Sequence, residues 1–498
     1  MFKWAIIRRS FSKSSVPRYK VAIVGAGPAG FYTAHHLLHK AKHIPVSIDF
    51  FDRLPTPYGL SRYGVAPDHP EVKNCEEYME NLWRDFPEKV RFFGNVNVGT
   101  DLPLAQLESH YNSIVLSYGC TASDNKLNIP GSENRGVISA RQFVNWYNGH
   151  PDSKRGQEFV PPLDKINNIT IIGNGNVAID VARVLLADPK SHWAPTDITS
   201  EAVELLSRST VKRVNIVARR GLLESAFTNK EIRELLEVSK NSKVKFLPVS
   251  EDILGPLRGK AKSFGRVEKR KFSILDKASS QAEDAFEMNK CWGLEFQLSP
   301  KEFVSSEEDS ELLKSTVFEI NELHEDSLTK KVTVSGTGKE LVIENDLVIL
   351  SIGYKGQELQ GFETAELEFS WKDNRIANNE GRILRLNAVT AGEKDELTYK
   401  RGWYASGWIK NGPKGVIATT MMSSFDTAEK VLEDLSNDIY IQPTEHVDIT
   451  NVLPPSFVSW EGWKAIDEYE LHQGELKGKT RSKIQKIPEM IQISQKGN

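Results

Sequence analysis

Residues 20–38, KVAIVGAGPAGFYTAHHLL, constrain the fold of this chain more than any other stretch. Four apolar residues run into Gly25, and an apolar segment of helical period follows Gly27 and Gly30. A strand, a tight glycine turn and a helix in this order form a dinucleotide-binding unit. The first glycine allows the turn, the second lets a pyrophosphate approach the backbone, and the third lets helix and strand pack closely. We therefore expect a pyrophosphate at the N-terminus of this helix.

The next strand, VSIDFFD, ends in Asp52, whose carboxylate is placed to accept hydrogen bonds from a ribose. An ordinary strand, turn and helix without a ligand is the alternative, and the acid at the strand end favours the nucleotide site. A loop rich in Pro and Gly follows and is predicted to wrap the cofactor. It contains His69, although a lone histidine is more often a structural hydrogen-bonding group than a catalyst.

Residues 168–186, NITIIGNGNVAIDVARVLL, repeat the strand, glycine turn and helix as GxGxxA, with Gly173, Gly175 and Ala178. The strand after this helix ends in Arg219 and Arg220, where the first unit has a carboxylate. A carboxylate would repel a 2′-phosphate, whereas two guanidinium groups offer it bidentate, charge-assisted hydrogen bonds. The second unit is therefore predicted to prefer NADP(H) over NAD(H). A solvated surface pair is the alternative.

Two dinucleotide units in one chain predict two dinucleotides. Two nicotinamide sites would share no reaction, whereas FAD with NADPH makes an electron-transfer enzyme, so we expect a flavoprotein linked to a pyridine nucleotide. The three cysteines lie far apart and form no CxxC, which excludes the dithiol relay of disulfide reductases and predicts no metal site. Electrons must therefore leave the flavin directly.

The predicted fold class is α/β with two Rossmann-like domains and a glutathione-reductase-like architecture. The NADP-binding domain is inserted into a discontinuous FAD-binding domain, because DLVILSIGY, 346–354, leads back to the first unit. Further on, WYASGW is predicted as a strand, followed by a glycine turn and a helix that starts at residues 415–417. The predicted segments are a targeting peptide, 1–18, the FAD-binding domain in two parts, 19–122 and 355–498, and the NADP-binding domain, 123–354.

The N-terminus and one internal segment differ in charge from the rest of the chain. Residues 1–20 are basic and serine-rich and precede the first acid, Asp49, which predicts a mitochondrial targeting peptide; a disordered basic tail is the alternative. Residues 258–271 carry seven basic side chains against Glu268 in a chain of net charge −3. This excess fits either an anionic partner or a solvated face, and without interleaved aromatic residues it does not indicate nucleic acid. Residues 300–330 are expected to be a surface excursion without assignable chemistry.

From about residue 19 to its C-terminus, the chain resembles the adrenodoxin reductase (NADPH–ferredoxin reductase) family, and the likeness is closest to fungal members. The stretches that carry it are VAIVGAGPAGFYTAHHLL, YGVAPDHPEVKN, LSYG, GNGNVAIDVAR, ARRG followed by AFTNKE, LSIGY and SGWIKNGPKGVI. The resemblance implies that NADPH gives a hydride to FAD and that single electrons pass to a mitochondrial 2Fe–2S ferredoxin. It also implies iron–sulfur assembly or haem and P450 pathways, and a place in the matrix or on the matrix face of the inner membrane. We expect no transmembrane segment, and peripheral membrane association stays open.

The resemblance also implies a set of site residues. Those for FAD are Gly25, Gly27, Ala29, Asp52, Leu60, Val96, Trp408, Gly415, Val416 and Ile417. Those for NADP(H) are Gly173, Asn174, Gly175, Asn176, Val177, Arg219, Arg220, Glu231 and Gly415, with Glu231 at the adenosine phosphate end. His69 and Asp180 are implied as a proton relay. An acidic ferredoxin is expected on a basic patch formed by Arg266, Lys269, Arg270, Lys410 and Lys414.

Two other functions are compatible with dinucleotide units. A flavoprotein like the small subunit of glutamate synthase would have a cysteine-rich cluster domain at its N-terminus, and this sequence has none. A non-catalytic cofactor-binding module is expected to have degraded glycine turns, and both turns are intact here.

Overall fold

The computed structural model describes residues 19–41, 43–73, 75–120, 123–156, 158–282, 290–309, 312–329, 331–386, 398–413, 415 and 417–497. The predicted targeting peptide and the predicted site residues Lys414 and Val416 lie outside these ranges. In the described part of the chain, no helix combines the length and the apolar character needed to cross a membrane.

The first sheet has seven strands and is built from both ends of the chain. In spatial order its strands are Asn378–Asn379, Arg382–Leu384, Tyr399–Ala405, Ser113–Leu116, Tyr19–Val24, Val46–Phe51 and Val90–Phe93. The five strands from Tyr399–Ala405 onward pair in parallel. Their apolar runs are buried, as expected for parallel strands covered on both faces. The last third of the chain thus returns to the sheet that carries the first glycine turn.

The second sheet has six parallel strands, all drawn from residues 137–350. In spatial order they are Val137–Ser139, Leu347–Leu350, Asn168–Ile172, Arg213–Val217, Cys291–Glu295 and Lys245–Phe246. The second glycine turn follows Asn168–Ile172 near the middle of this sheet. Two Rossmann-like sheets, the second inserted into the first, confirm the predicted α/β fold class; the residue boundaries of the domains stay a prediction.

Helices alternate with the strands along the chain. The α-helices are Pro28–Lys40, Leu60–Tyr63, Pro70–Lys73, Cys75–Asp85, Leu104–His110, Ala140–Asn148, Asn176–Leu186, Ser200–Ser207, Asn229–Asn241, Glu251–Lys260, Arg266–Ser280, Trp408–Asn411, Ile417–Ser436, Trp460–Leu476 and Ile487–Ser494. Shorter 3-10 turns are Pro151–Lys154, Ala261–Ser263, Ile449–Val452 and Gln495–Gly497, and Pro189–Trp193 is a π-helical turn. The helix after the first glycine turn packs against Ile417–Ser436, which brings the C-terminal part to the turn.

Three details differ from the sequence expectations. The alternating stretch VRFFGNVNVG, residues 90–99, predicts one strand, but the strand ends at Phe93, because Asn95 adopts a left-handed φ of 58°. The predicted strand WYASGW ends at Ala405, because Gly407, with φ of 71°, turns the chain into the short helix that begins at Trp408.

The third difference is the surface excursion expected at 300–330, which belongs to an ordered antiparallel sheet. Its strands are Leu298–Ser305, Leu313–Glu325 and Val332–Glu344. Two-stranded ribbons complete the fold: Ser123–Asp124 with Tyr354–Lys355, and Phe369–Ser370 with Arg375–Ile376.

Candidate functional site

The three glycines of the first turn have different surroundings. Gly25 has φ of 103°, and a Cβ there would lie 2.6 Å from the Ser117 carbonyl oxygen. A Cβ on Gly30 would lie 2.2 Å from the Gly25 carbonyl oxygen, whereas a Cβ on Gly27 would meet no atom of the described residues within 4 Å. The first and third glycines are therefore demanded by packing. The second leaves open space at the helix N-terminus, where a pyrophosphate is expected.

Asp52 directly follows the strand Val46–Phe51 and contacts the first glycine turn. Its carboxylate accepts hydrogen bonds from the backbone N–H groups of Ala26 and Leu54, both at 2.9 Å. Burial raises the pKa of Asp52, and the two N–H donors oppose that rise. A carboxylate oxygen has two lone pairs, so each oxygen can still accept a hydrogen bond from a ribose hydroxyl.

A cavity of about 510 Å³ opens beside the first turn, within the size range of cofactor sites. The predicted FAD residues that line it are Gly25, Gly27, Ala29, Asp52, Leu60, Val96 and Trp408. Gly415 is exposed, with φ of 86°, and lies just before the helix Ile417–Ser436, so the contacts predicted for residues 415–417 stay a prediction. The indole of Trp408 stacks on the ring of Tyr354, with centroids 5.8 Å apart.

The far wall of the cavity comes from the inserted domain, which sequence reasoning missed. Its lining residues are Arg141, Val144, Asn145, His150 and Asp152. Arg53 donates two hydrogen bonds across the domain boundary to Asp152, at 3.0 and 2.8 Å. Burial opposes ionisation of this carboxyl, but the Arg53 guanidinium lowers the pKa of Asp152 to about 2. Because these residues lie on different domains, no local motif could have paired them.

His150 lines the same wall and is held in its neutral form. Its Nδ1 accepts a hydrogen bond from the backbone N–H of Asp152, at 3.0 Å, and its ring packs edge-on against Tyr63. Burial lowers the pKa of His150 to about 4.

Cys120 lies beside Trp408, since its thiol donates to the Trp408 carbonyl oxygen at 3.3 Å. Burial raises the pKa of Cys120 to about 12, so this thiol stays protonated near neutral pH.

The second glycine turn has the same geometry as the first. Gly173 has φ of 113°, and a Cβ there would lie 2.1 Å from the Ser351 carbonyl oxygen, whereas a Cβ on Gly175 would have no neighbour within 4 Å in the described part of the chain. Two asparagines of this turn hold the loop that follows the next strand. Asn174 donates to the Ser225 hydroxyl at 3.0 Å, and Asn176 accepts from the backbone N–H of Thr228 at 2.9 Å.

Arg219 and Arg220 follow the strand Arg213–Val217 and are exposed. Among the described residues, neither guanidinium group has an ion-pair partner. Their backbone carbonyl oxygens, in contrast, accept hydrogen bonds from Asn321 and from the N–H of Gln297. The side chains are therefore free to bind a phosphate, while the backbone that carries them is held in place.

Arg183 lies on the helix Asn176–Leu186, after the second glycine turn, and contacts both predicted relay residues, His69 and Asp180. It binds Asp68 through two hydrogen bonds, at 2.6 and 2.9 Å, and lies 2.9 Å from Asp180. It also lies 3.2 Å from His69 Nε2 and donates to Glu231 at 3.2 Å. Glu231 therefore joins His69 and Asp180 in one Arg183 cluster, and its role at the adenosine phosphate end stays a prediction.

The Arg183 cluster changes the pKa of Asp180, and part of it has the spacing of a metal site. Burial raises the pKa of Asp180 to about 7, with the Glu231 charge adding and the Arg183 charge opposing. Ligand atoms of His69, Glu231 and Glu234 lie within 4.8 Å of one another, as a metal site requires. The Arg183 guanidinium already supplies the positive charge there, so this geometry fits an ion-pair network better than a metal ion.

Arg266, Lys269 and Arg270 are exposed on the helix Arg266–Ser280, as a partner surface requires. The prediction that Lys410 belongs to this surface is wrong. Lys410 is 6% exposed, and its ammonium group donates to the Thr427 hydroxyl at 3.0 Å and to the Ser423 carbonyl oxygen. The short helix that carries it faces the helix Ile417–Ser436, which buries the side chain.

Two further basic residues of the 258–271 segment are not free. Arg258 is paired with Glu251 at 2.6 Å and Asp276 at 2.8 Å. Lys271 is buried and donates to the Ser225 carbonyl oxygen, so it supports the loop beside the second turn.

Comparison with known proteins gives the same fold and family. Residues 19–251 match the family model described as "Pyridine nucleotide-disulphide oxidoreductase". The chain is 36% identical to the "Probable NADPH:adrenodoxin oxidoreductase, mitochondrial" of Saccharomyces cerevisiae, over 96% of this chain and 97% of the relative. It is 38% identical to the "NADPH:adrenodoxin oxidoreductase, mitochondrial" of Homo sapiens, over 95% and 91%.

A solved structure agrees with these relatives. "Mycobacterium tuberculosis FprA in complex with NADPH" superposes with a TM-score of 0.82 at 32% identity, over 96% of this chain and 99% of that one. Relatives at this identity over nearly the full length, together with the two glycine turns and the cavity between the domains, place the chain in the NADPH:adrenodoxin oxidoreductase family.

Proposed function

We propose that this chain is an FAD-containing NADPH:ferredoxin reductase of mitochondria. It takes a hydride from NADPH and passes single electrons to an acidic 2Fe–2S ferredoxin, in support of iron–sulfur assembly or of haem and P450 pathways. The observation that carries the proposal is the cavity beside Gly27 and Asp52, which both domains close. Its open glycine, free carboxylate lone pairs and aromatic wall fit a flavin dinucleotide.

When bound, FAD supplies the conversion of a two-electron hydride into two single electrons. The chain itself provides binding, orientation and exclusion of water. The helix after Gly27 offers N–H groups to the pyrophosphate, and Asp52 accepts from the ribose. The stacked rings of Tyr354 and Trp408 form an apolar wall that keeps water from the reacting centre. The protonated Cys120 thiol supplies no thiolate, in keeping with direct electron release.

NADPH is proposed to lie on residues 174–177, with its 2′-phosphate on Arg219 and Arg220. Asp180, with its pKa near 7, can hold or release a proton at neutral pH, which supports a relay through Asp180 and His69. Burial and the charges of Asp124 and Asp180 raise the pKa of Tyr354 to about 12. Since Tyr354 lines the cavity, the Asp180 charge acts on a residue of the cavity wall.

The proposed ferredoxin surface is formed by Arg266, Lys269 and Arg270 with the exposed Lys260 and Lys262. An acidic protein would be attracted to these side chains even though the whole chain is slightly acidic. The location rests on the basic N-terminal segment and on relatives whose names include "mitochondrial".

The test begins with the chain lacking residues 1–18, purified and examined by absorption spectroscopy. We expect the spectrum of an oxidised flavin, and reduction of cytochrome c by NADPH only when a 2Fe–2S ferredoxin is added. A colourless protein would contradict the FAD site. Equal cytochrome c reduction with and without ferredoxin would contradict the proposed acceptor, and equal kcat/KM for NADPH and NADH would contradict the role of the arginine pair.

A further inference from the structure

The antiparallel sheet formed by Leu298–Ser305, Leu313–Glu325 and Val332–Glu344 has no part in the function proposed so far. Two of its contacts reach the backbone of the arginine pair. The carbonyl oxygen of Arg219 accepts from Asn321, and that of Arg220 accepts from the N–H of Gln297. The sheet thus touches the segment proposed to read the 2′-phosphate.

Asn321 makes the first of these contacts from a buried position. It is 3% exposed, and its Nδ2 donates to the Arg219 carbonyl oxygen at 3.0 Å and to the Ser299 hydroxyl at 2.9 Å. Its own backbone N–H donates to the Gln297 carbonyl oxygen at 2.8 Å. The pairing with the neighbouring strand shifts register between Glu319 and Asn321, and such bulges re-aim a side chain.

The segment before the first strand makes the second contact. Gln297 adopts a left-handed φ of 60°, and its N–H donates to the Arg220 carbonyl oxygen at 3.1 Å. The N–H of Leu298 donates to the Ala218 carbonyl oxygen at 3.0 Å. On the other side of the pair, a Cβ on Gly221 would lie 2.8 Å from Leu323 Cδ1. The sheet therefore holds the backbone before, at and after the two arginines.

Rigid backbone matters here because both guanidinium groups are exposed and no described side chain orients them. A guanidinium fork binds a phosphate well only when its direction is set, and a long side chain loses rotational freedom on binding. Fixing the backbone beneath the fork reduces the number of directions in which it can point.

We propose that Asn321 is a positioning residue for recognition of the 2′-phosphate, and that the antiparallel sheet serves to present Arg219 and Arg220 to it. This inference rests on the proposed function, in which the arginine pair binds that phosphate. Asn321 contributes through the Arg219 backbone and does not itself touch the ligand.

The experiment compares Asn321→Leu with a matched control, Asn345→Leu. Asn345 is also buried, and its Nδ2 donates to the hydroxyls of Thr170 and Thr316, at 3.0 and 2.9 Å. It supports the other end of the same sheet without contacting the arginine pair. Binding of adenosine 2′,5′-bisphosphate and of adenosine 5′-monophosphate to the flavin-loaded protein is measured by titration calorimetry.

Asn321→Leu should weaken binding of the bisphosphate by roughly tenfold, because a misdirected Arg219 side chain loses about one charge-assisted hydrogen bond to the 2′-phosphate. Binding of the monophosphate should be unchanged. Asn345→Leu should leave the ratio of the two affinities unchanged. In steady state, Asn321→Leu should raise KM for NADPH with kcat and the KM for NADH retained. If Asn321→Leu does not fold, Asn321→Ser removes the amide with less bulk, and the same loss is expected.

The outcomes separate this inference from the proposed function. A wild-type protein that binds both nucleotides equally contradicts the role of the arginine pair itself. A wild-type protein that discriminates, with an Asn321 variant that discriminates equally, overturns only the positioning role. Equal loss of discrimination in the Asn321 and Asn345 variants overturns the specific role of Asn321 too, because the sheet as a whole, and not the Asn321 hydrogen bond, would then position the arginine pair.

Discussion

Replacing Glu470 with Gln should destabilise the FAD-binding domain strongly, because it leaves a buried arginine without its counter-charge. Glu470 is 0% exposed and Arg62 is 2% exposed. Arg62 Nη2 donates to both carboxylate oxygens, at 2.6 and 2.5 Å. Arg481 at 3.0 Å and the N–H of Ile484 at 2.9 Å complete the donors to Glu470.

The size of the effect follows from this environment. Breaking a buried ion pair costs about 3–5 kcal/mol, and Gln keeps one acceptor oxygen, so about 3 kcal/mol is expected. With a urea dependence of about 3 kcal/mol per molar, the unfolding midpoint should fall by about 1 M. Arg62 also belongs to the short helix whose Leu60 and Tyr63 line the cavity, so flavin should be released more readily.

The assay is urea unfolding followed by tryptophan fluorescence, since the Arg62 guanidinium lies 5.0 Å from the centroid of the Trp463 ring. Glu340→Gln is the control, because Glu340 pairs with Lys301 on the surface and its loss should not move the midpoint. Arg62→Met added to Glu470→Gln should recover most of the lost stability, since it removes the unpaired buried charge while Gln still accepts from the N–H of Ile484. A midpoint for Glu470→Gln within 0.2 M of wild type, on the order of 0.6 kcal/mol, would refute this reasoning.

Four further outcomes are expected. Arg219→Ala with Arg220→Ala should raise KM for NADPH by about 100-fold, through loss of two charge-assisted contacts, and leave KM for NADH unchanged in initial-rate assays. Arg53→Gln should speed flavin release about fivefold, measured by the rise of flavin fluorescence on dilution, because the partly exposed pair with Asp152 contributes about 1 kcal/mol to closing the cavity. Lys269→Gln with Arg270→Gln should raise KM for ferredoxin and flatten its dependence on salt, whereas Lys301→Gln, on the antiparallel sheet, should change neither. Burial lowers the pKa of His150 from 6.5 to about 4, so between these pH values the unfolded chain binds more protons than the folded chain. The free energy of unfolding therefore falls as the pH is lowered from 6.5 to 4, and His150→Asn should remove up to about 3 kcal/mol of that loss in urea unfolding.

The parts of the fold that could be predicted from the sequence are those set by local backbone demands. Gly25 and Gly173 adopt φ values that other residues rarely accept, and apolar strands precede both. These features are visible in a few consecutive residues, as is the acid or arginine pair at the end of the next strand. The returning strand Tyr399–Ala405 was also predicted, with its end displaced by the turn at Gly407.

The parts that could not be predicted depend on contacts between distant segments. Arg53 and Asp152 lie 99 positions apart, and their pairing follows from how the two domains meet. Lys410 stands in a polar stretch, SGWIKNGPKG, and nothing local shows that Thr427 would receive its ammonium group. Asn321 lies on a strand whose buried and exposed positions do not alternate regularly, so the pattern that marks a half-buried strand is weak around it.

The glycines of the two turns are required for two different reasons, and the empty space beside the second glycine of each turn distinguishes them. At Gly25 and Gly173 a methyl group would collide with backbone, so these positions are held by folding whether or not a nucleotide is present. At Gly27 and Gly175 a methyl group meets no atom of the described residues within 4 Å, so a bound ligand is what would exclude it. A descendant that lost its cofactors could therefore drift at 27 and 175 and still fold. Among natural variants of this chain, retention of glycine at those two positions is a sign of continued nucleotide binding.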